Sequence, residues 1–356
     1  MSKRTTSIHV AILGGTGYGG GELLRLLTQH PQVSVTSVTS TSQVGRGIAD
    51  VHPHLRGFYD LPLTEAVDYE RLLDAERSVV FCALPHGHSG AAADAMLREV
   101  ERRGATSRAT VIDLSGDLRL RNAGLHRQHY PDSPELSERR AMAVYGMPEL
   151  QRESIRGARL IANPGCLASA AILALAPLAN ELTGAVAIDA KTGSSGSGRE
   201  LKATTHHPTR HADFRAYKPL AHQHEPEILQ ALGDANGSRI AASFVAQSMD
   251  CARGIYVTAH ATLATPVSTS ELQERYRRFY SASPFVRMCV EPPTLQDVVG
   301  SNFCDIAVVG RDRQVVVMAA LDNLIKGMAG TAIQNMNLVC RLPEETGLWT
   351  PSFRPV

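Results

Sequence analysis

Cys166 is the residue whose neighbours say most about chemistry. It sits in Ile161-Ala162-Asn163-Pro164-Gly165-Cys166-Leu167-Ala168-Ser169, where an apolar run gives way to a Pro-Gly turn and then to helix-forming Ala and Leu. A thiol at a helix start faces unsatisfied N–H groups and the positive end of the helix dipole, which favour thiolate over thiol and make a nucleophile. A histidine-dense stretch follows: His206, His207, His211, His222 and His224. Only His222 and His224 are closely spaced, and no Cys or carboxylate set completes a ligand pattern, so no metal is expected. A near-neutral imidazole suits proton transfer to and from an intermediate held on Cys166, which makes His222 the expected acid/base. His224 and Glu227 then read as substrate or supporting contacts. Arg253, at the mouth of a strand-like run, is the candidate for an anionic substrate tail, because a guanidinium pairs with carboxylates through two parallel bonds.

These side chains need elements to hold them, and the first half of the chain supplies a nucleotide-binding pattern. Ile8 to Leu13 reads as a buried parallel strand. It runs into Gly14-Gly15-Thr16-Gly17-Tyr18-Gly19-Gly20-Gly21 and then a helical stretch from Glu22. Glycines there allow a sharp turn and close backbone approach to a pyrophosphate, with the helix start donating N–H groups. Gly14, Thr16, Gly17, Tyr18, Gly19 and Gly20 are therefore expected to bind cofactor. The second strand, Val33 to Thr39, ends in Ser40-Thr41-Ser42, where an NAD-preferring site typically carries a carboxylate; Ser40 and nearby Arg46 suit a 2′-phosphate, which predicts NADP(H). Further strands at Ser78–Leu84 and Thr110–Leu114, separated by helical segments, predict an α/β fold with a doubly wound parallel sheet of Rossmann type. That topology puts His86, His88 and Arg119 on the ligand-bearing edge.

Beyond Cys166 the pattern gives a helix, a strand through Ala185–Lys191, and the loop Thr192-Gly193-Ser194-Ser195-Gly196-Ser197-Gly198. As an anion cradle, this loop offers N–H groups and hydroxyls to a phosphate. Asp322-Asn323-Leu324-Ile325-Lys326-Gly327-Met328-Ala329-Gly330 opens a last helix through Leu338, whose small residues suit close packing or cofactor approach.

With 356 residues, two domains are the default. The 36 basic and 35 acidic residues are spread along the chain and give no basic stripe for nucleic acid or membrane, so small molecules are the expected partners. Six scattered cysteines fit reduced thiols, and no apolar run reaches spanning length; a cytoplasmic location is expected.

Taken in order, the glycine loop 14–20, Asp113-Leu114-Ser115-Gly116-Asp117-Leu118-Arg119-Leu120, Tyr145-Gly146-Met147-Pro148-Glu149, Asn163-Pro164-Gly165-Cys166, the loop 192–198, His222-Gln223-His224-Glu225-Pro226-Glu227 and Asp322–Gly327 span the chain end to end. On these motifs the sequence resembles the N-acetyl-γ-glutamyl-phosphate reductases, within the aspartate-semialdehyde dehydrogenase superfamily. The resemblance implies NADPH-dependent reduction of an acyl phosphate through a Cys166 thioester in arginine biosynthesis, and two domains: a Rossmann domain of 1–164 completed by 326–356, and an α+β catalytic and oligomerisation domain over 165–325. It also implies cofactor contacts from Ser195, Gly196 and Asn323, substrate contacts from Arg119 and Ser194, and a homo-oligomer, dimer or tetramer. Leu167 and Gln223 depart from the family's usual Tyr and Arg. Thr205-His206-His207-Pro208-Thr209-Arg210-His211 is instead similar to related reductases acting on carrier-bound aminoadipyl phosphate in lysine biosynthesis, or leaves another phosphorylating semialdehyde dehydrogenase as the alternative.

Overall fold

A computed structural model describes residues 8–236 and 240–355. The chain divides into two compact units: residues up to Pro164 with Met328–Leu348, and Gly165–Gly327 with the segment from Trp349 onward.

The first unit is built on six parallel strands: β1 (Ile8–Leu13), β2 (Val33–Thr39), β3 (Arg77–Cys82), β4 (Ala109–Asp113), β5 (Val144–Tyr145) and β6 (Leu160–Ala162). Their spatial order is β2-β1-β3-β4-β6-β5. β1 pairs with β2 on one side and β3 on the other, so the chain reverses direction across the sheet there, and ligands of open α/β sheets bind at such a switch point. Strands covered on both faces must be apolar throughout. Val10, Ile12, Val80, Phe81, Val111 and Ile112 are accordingly buried, and Ala93, Met96, Leu97 and Val100 of the helix Ser89–Arg102 close one side.

The C-terminal helix Gly330–Val339 belongs to this unit, and all ten of its residues are buried. Its side-chain amide nitrogens are matched, while Asn335 Oδ1 is buried with no partner among the described residues. Asn335 Nδ2 donates to Gly146 O at 2.9 Å and Asn163 Oδ1 at 3.1 Å, Gln334 Nε2 donates to Glu344 Oε2 at 2.7 Å, and Asn337 Oδ1 meets His30 Nε2 at 2.9 Å. Buried amides are tolerated on these terms. The preceding turn departs from the expected continuous helix: Ile325–Ala329 is a π-turn, and the α-helix begins only at Gly330. The C-terminal return is also shorter than 326–356. Trp349 packs on Phe303 and Phe285, and Phe353 N–H donates to Val299 O at 2.9 Å, all within the second unit.

The second unit carries a mixed seven-stranded sheet: β7 (Leu182–Thr192), β8 (Arg215–Tyr217), β9 (Ala241–Ser248), β10 (Ile255–Leu263), β11 (Val286–Met288), β12 (Cys304–Arg311) and β13 (Gln314–Leu321). The order is β11-β12-β13-β10-β7-β9-β8. The helix Cys166–Leu175 packs on β10 and β13 and against the helix His224–Asn236. It is apolar all round, and every residue after Cys166 is buried, as a helix enclosed on all sides requires. Its far end is held by two hydroxyls, Tyr276 donating to Ala174 O at 2.5 Å and Tyr280 to Leu173 O at 2.6 Å. The rigid element under Cys166 is thus anchored at the end away from the thiol. Among the described residues, no helix is long and apolar enough to cross a membrane.

Candidate active site

Cys166 is the first residue of its helix, and Gly165 before it is an extended N-cap with no side-chain cap bond. The helix start therefore has no side-chain cap, and its positive dipole end lies beside the sulfur. Glu227, fully buried on the helix His224–Asn236, accepts the Gly165 N–H at 2.7 Å through Oε1. That bond fixes the turn delivering the thiol, and it gives Glu227 the supporting one of the two places expected for it. On the other side stands Gly327 of the π-turn; a Cβ there would lie 2.7 Å from Cys166 Cβ. At four other cysteines, Cys82, Cys251, Cys289 and Cys340, burial pushes the thiol up, at Cys340 to about 12. All six are unbridged, and Cys166 is only partly buried.

His222 is buried, and its Nδ1 receives the His224 backbone N–H at 3.1 Å. A backbone amide can only donate, so Nδ1 carries the lone pair and the proton of the neutral ring sits on Nε2. The ring is packed edge-on against Tyr217 (centroids 5.5 Å) and His224 (4.7 Å) and tilted against Phe244 (5.4 Å). Tyr217 packs against His222 and senses the charge of Cys166. Its phenol is pushed far up, first by burial and then by the charge of Cys166, with Arg210 opposing. The sequence pattern did not single out Tyr217, because nothing in Arg215-Ala216-Tyr217 distinguishes it from an ordinary edge strand.

The loop after β7 departs from the anion cradle expected of it. Gly193 N–H donates to Gly254 O, Ser194 to Cys251 O, Ser195 to Ala252 O, Gly196 to Gly193 O and Gly198 to Ser195 O. Donors already spent on carbonyls cannot also hold a phosphate. The close approach explains the glycine at 193, where a Cβ would fall 2.7 Å from Ala252 O. Asn323 locks the same loop, giving Nδ2 to Ser195 Oγ at 2.8 Å and accepting Gly254 N–H at 2.8 Å. Ser194 Oγ donates to Cys251 O at 3.3 Å.

Two arginines are likewise committed. Arg119, nearly fully buried, donates from Nε to Asn163 O at 2.7 Å and from Nη2 to Leu114 O at 2.8 Å, which places it as a strut under the approach to Pro164 rather than as a phosphate ligand. Arg253 pairs with buried Asp322 at 3.1 Å, and Asp322 also accepts the N–H groups of Gly300, Leu324 and Ile325. Its guanidinium thus serves the π-turn's base, in place of the substrate tail expected from its spacing.

In the first unit the glycines sort by what surrounds them. Gly14 has φ +84°, and a Cβ there would sit 2.7 Å from Ala83 O; at Gly20 it would strike Gly15 Cα at 2.7 Å. These are packing demands. Around Gly17 a Cβ would meet nothing, and the helix Tyr18–Leu27 that follows has no side-chain cap, so that face is open to a ligand. Thr16, Tyr18 and Gly19 complete this loop; a Cβ at Gly19 would press on Met328 at 3.2 Å. A helix start without a side-chain cap beside the open space at Gly17 fits a dinucleotide pyrophosphate. His52 buttresses the loop from beneath: Nε2 donates to Gly15 O at 2.7 Å, with the ring directly under Gly21. Sequence reading missed it, because it is a lone histidine some 37 residues away in a polar excursion. Ser40 is buried at the end of β2, while Arg46 is exposed nearby, donating to Gln43 Oε1 at 2.7 Å and Asp50 O at 3.2 Å. Among the described residues no metal-holding cluster of His, Cys, Asp or Glu is formed.

Two family models divide the chain in the same way: the semialdehyde dehydrogenase NAD binding domain matches residues 9–158, and the semialdehyde dehydrogenase dimerisation domain matches residues 166–323. The chain belongs to the semialdehyde dehydrogenase family. Within that family it is 42% identical to an N-acetyl-gamma-glutamyl-phosphate reductase from Pelotomaculum thermopropionicum, over 98% of this chain and 100% of the relative. It is also 39% identical to a putative (LysW)-L-2-aminoadipate 6-phosphate reductase from Thermomicrobium roseum, over 98% of this chain and 99% of the relative. Among solved structures, aspartate semialdehyde dehydrogenase II from Vibrio cholerae shares the fold with a TM-score of 0.67 at 14% identity, covering 94% of this chain and 98% of that one.

Proposed function

We propose that this chain reduces N-acetyl-γ-glutamyl phosphate to N-acetylglutamate semialdehyde with release of phosphate, in arginine biosynthesis. The observation that carries the reading is the uncapped helix start at Cys166, with its turn held by Glu227 and His222 fixed as an Nε2–H donor behind Tyr217. The Cys166 sulfur attacks the acyl carbon and the C–O bond to phosphate breaks, leaving a thioester. The glycine loop, Ser40 and Arg46 would hold NADPH, which would supply the hydride. The positive end of the Cys166 helix dipole stabilises the oxyanion of each tetrahedral species, and His222 donates to it through Nε2–H. Collapse of the hemithioacetal gives the aldehyde and returns the thiolate. Glu227, Arg119 and Asn323 act by holding backbone in place.

A second copy of the chain is the proposed partner. The face of the seven-stranded sheet carrying Ala187 of β7, Ser243 of β9 and His260 of β10 is partly exposed and places Val245, Val316 and Met318 at the surface beside Asp189 and Lys191, a mixed surface that a second copy would cover. A homodimer, or a tetramer of two such pairs, covers it, and light scattering of the purified chain tests this. A reducing cytoplasm suits the free thiols.

The deciding assay follows NADPH formation from N-acetylglutamate semialdehyde, NADP and phosphate. The signal is expected to vanish without phosphate and in Cys166→Ser, while that variant still binds nucleotide. The relative from Thermomicrobium roseum and the His206–His211 segment favour one second reading, a carrier-bound aminoadipyl phosphate. Absence of turnover with the free semialdehyde, with phosphate-dependent turnover of the carrier-bound one, selects it.

A further inference from the structure

The side chains expected to receive the substrate's anionic groups are spoken for: Arg119 holds carbonyls, Arg253 holds Asp322, and the N–H groups of the loop 193–198 bond to backbone. Yet the proposed substrate carries an oxyanion at each end, and a cavity of about 240 Å³ lies in the second unit beside that loop. Its polar lining is Ser194, Thr205, His207, Arg210, His211 and Asp250.

We infer that this cavity is an oxyanion pocket built on Arg210, which takes one anionic end of the substrate. Arg210 is nine-tenths buried, and its guanidinium is held in place by donating to Ser248 Oγ and Met249 O. A guanidinium so fixed has already lost its rotamer freedom, and its fork of donors suits a planar or tetrahedral oxyanion. Exposed His207 and His211 stand edge-to-face at 5.3 Å, adding ring donors, and the hydroxyls of Ser194 and Thr205 are on the same wall. Asp250 is the one carboxylate in the lining. It is turned to the Ala212 N–H at 2.8 Å and lies 3.7 Å from His211 Nδ1, so its charge is engaged with the segment that carries the histidines. The pocket also lies near His222: Arg210 bonds to Ser248 of β9, which pairs with β8, and Tyr217 of β8 packs edge-on against the His222 ring. At about 30 Å³ per water, the volume is several waters wide and suits one end of a substrate rather than the whole of it. The histidine-dense segment, which the metal reading left without a use, thereby acquires one.

This inference rests on the proposed reaction, and the two anionic ends are separated by varying phosphate and N-acetylglutamate semialdehyde independently in the NADP-dependent direction. Arg210→Lys is expected to raise the KM for one of them at least tenfold and leave the KM for NADP within twofold. A rise for phosphate assigns the pocket to the phosphoryl end, and a rise for semialdehyde assigns it to the carboxylate end. KM values for both within twofold of the parent overturn it. The double variant His207→Gln/His211→Gln, at exposed positions, is expected to move the same KM by two- to fivefold and guards against misfolding of Arg210→Lys. If the free semialdehyde is not turned over at all, the proposed reaction fails separately, and thermal melts decide the pocket. A rise in Tm with inorganic phosphate or N-acetylglutamate that Arg210→Lys loses upholds it, and no rise with either overturns it.

Discussion

Replacing Gly327 by Ala adds one methyl group, and the structure says where it goes. The new Cβ would lie 2.7 Å from Cys166 Cβ, 3.2 Å from Cys166 Cα and 3.3 Å from Asp322 O. Carbon atoms in contact prefer about 3.5–4.0 Å, so roughly 1 Å must be recovered. Asp322 cannot yield easily, as it is fully buried and accepts from Gly300, Leu324 and Ile325. The helix behind Cys166 cannot slide, because Leu167–Leu175 are buried and its far carbonyls are held by Tyr276 and Tyr280. The first residue of that helix is where the strain emerges, and it carries the thiol. Overpacking of this kind costs about 1–3 kcal/mol in stability, a fall of a few degrees in Tm. A displacement of about 1 Å at a reacting atom costs about 100-fold in rate. Gly327→Ala is therefore expected to lose about two decades of kcat in phosphate-dependent NADPH formation, to alter the rate of Cys166 alkylation by iodoacetamide, and to keep its KM for NADP within twofold. A variant with parental kcat and parental alkylation rate would refute the claim that the π-turn sets the thiol's position.

His222→Ala should lower kcat by about 10²–10³, the usual loss for one oxyanion donor, and His222→Gln, whose amide offers an N–H near the position of Nε2, should recover at least tenfold of it; equal loss in both shows that proton transfer by the ring, not donation, is what matters. His52→Ala removes the bond to Gly15 O and is expected to raise the KM for NADP about 5- to 30-fold, from about 1–2 kcal/mol, while Cys166 alkylation without nucleotide is unchanged. An unaltered KM detaches His52 from the cofactor loop. Asp113, fully buried, is raised by burial from 3.8 to about 6, with Ser89 Oγ and the Ser115 N–H working against the rise. The native state holds that proton where the unfolded chain has released it, so this carboxyl favours folding most below pH 4 and its contribution, about 3 kcal/mol, is lost as pH rises through 6. Asp113→Asn should erase that slope, seen as a Tm difference from the parent that shifts in the variant's favour between pH 4.5 and 7.5; a constant difference contradicts a raised Asp113.

Much of the fold was legible because alternation of strand, turn and helix leaves strong local marks. The strand at Val33–Thr39 and the glycine loop after Leu13 stand where their patterns put them. The position of Cys166 at a helix start was equally readable, since Pro164-Gly165 followed by Ala and Leu is a local signal. What escaped was partnership across the chain. Arg119 and Arg253 look alike in sequence to any ligand-binding arginine, and only tertiary contacts reveal that Asn163 O and Asp322 claim them. The loop 193–198 misled for the same reason, as its composition predicts available N–H groups, and the bend at 251–254 and the loop's own carbonyls consume them. His52 and Tyr217 carried no local signature at all, because their roles come from lying under Gly15 and against His222.

The helix Gly330–Val339, buried in the first unit and tied to Gly146, Asn163 and His30, also orders events in time. Everything between Pro164 and Met328 must be synthesised before the nucleotide-binding sheet receives its last wall. At about 5–20 residues per second, the ribosome leaves that sheet unfinished for roughly 8–35 seconds. During that interval the second unit can complete its own sheet through β13, so the sheet that begins first is closed only after the second sheet is whole. Chains truncated before Gly330 are born with a groove where the helix belongs, and such fragments present apolar surface to chaperones and proteases.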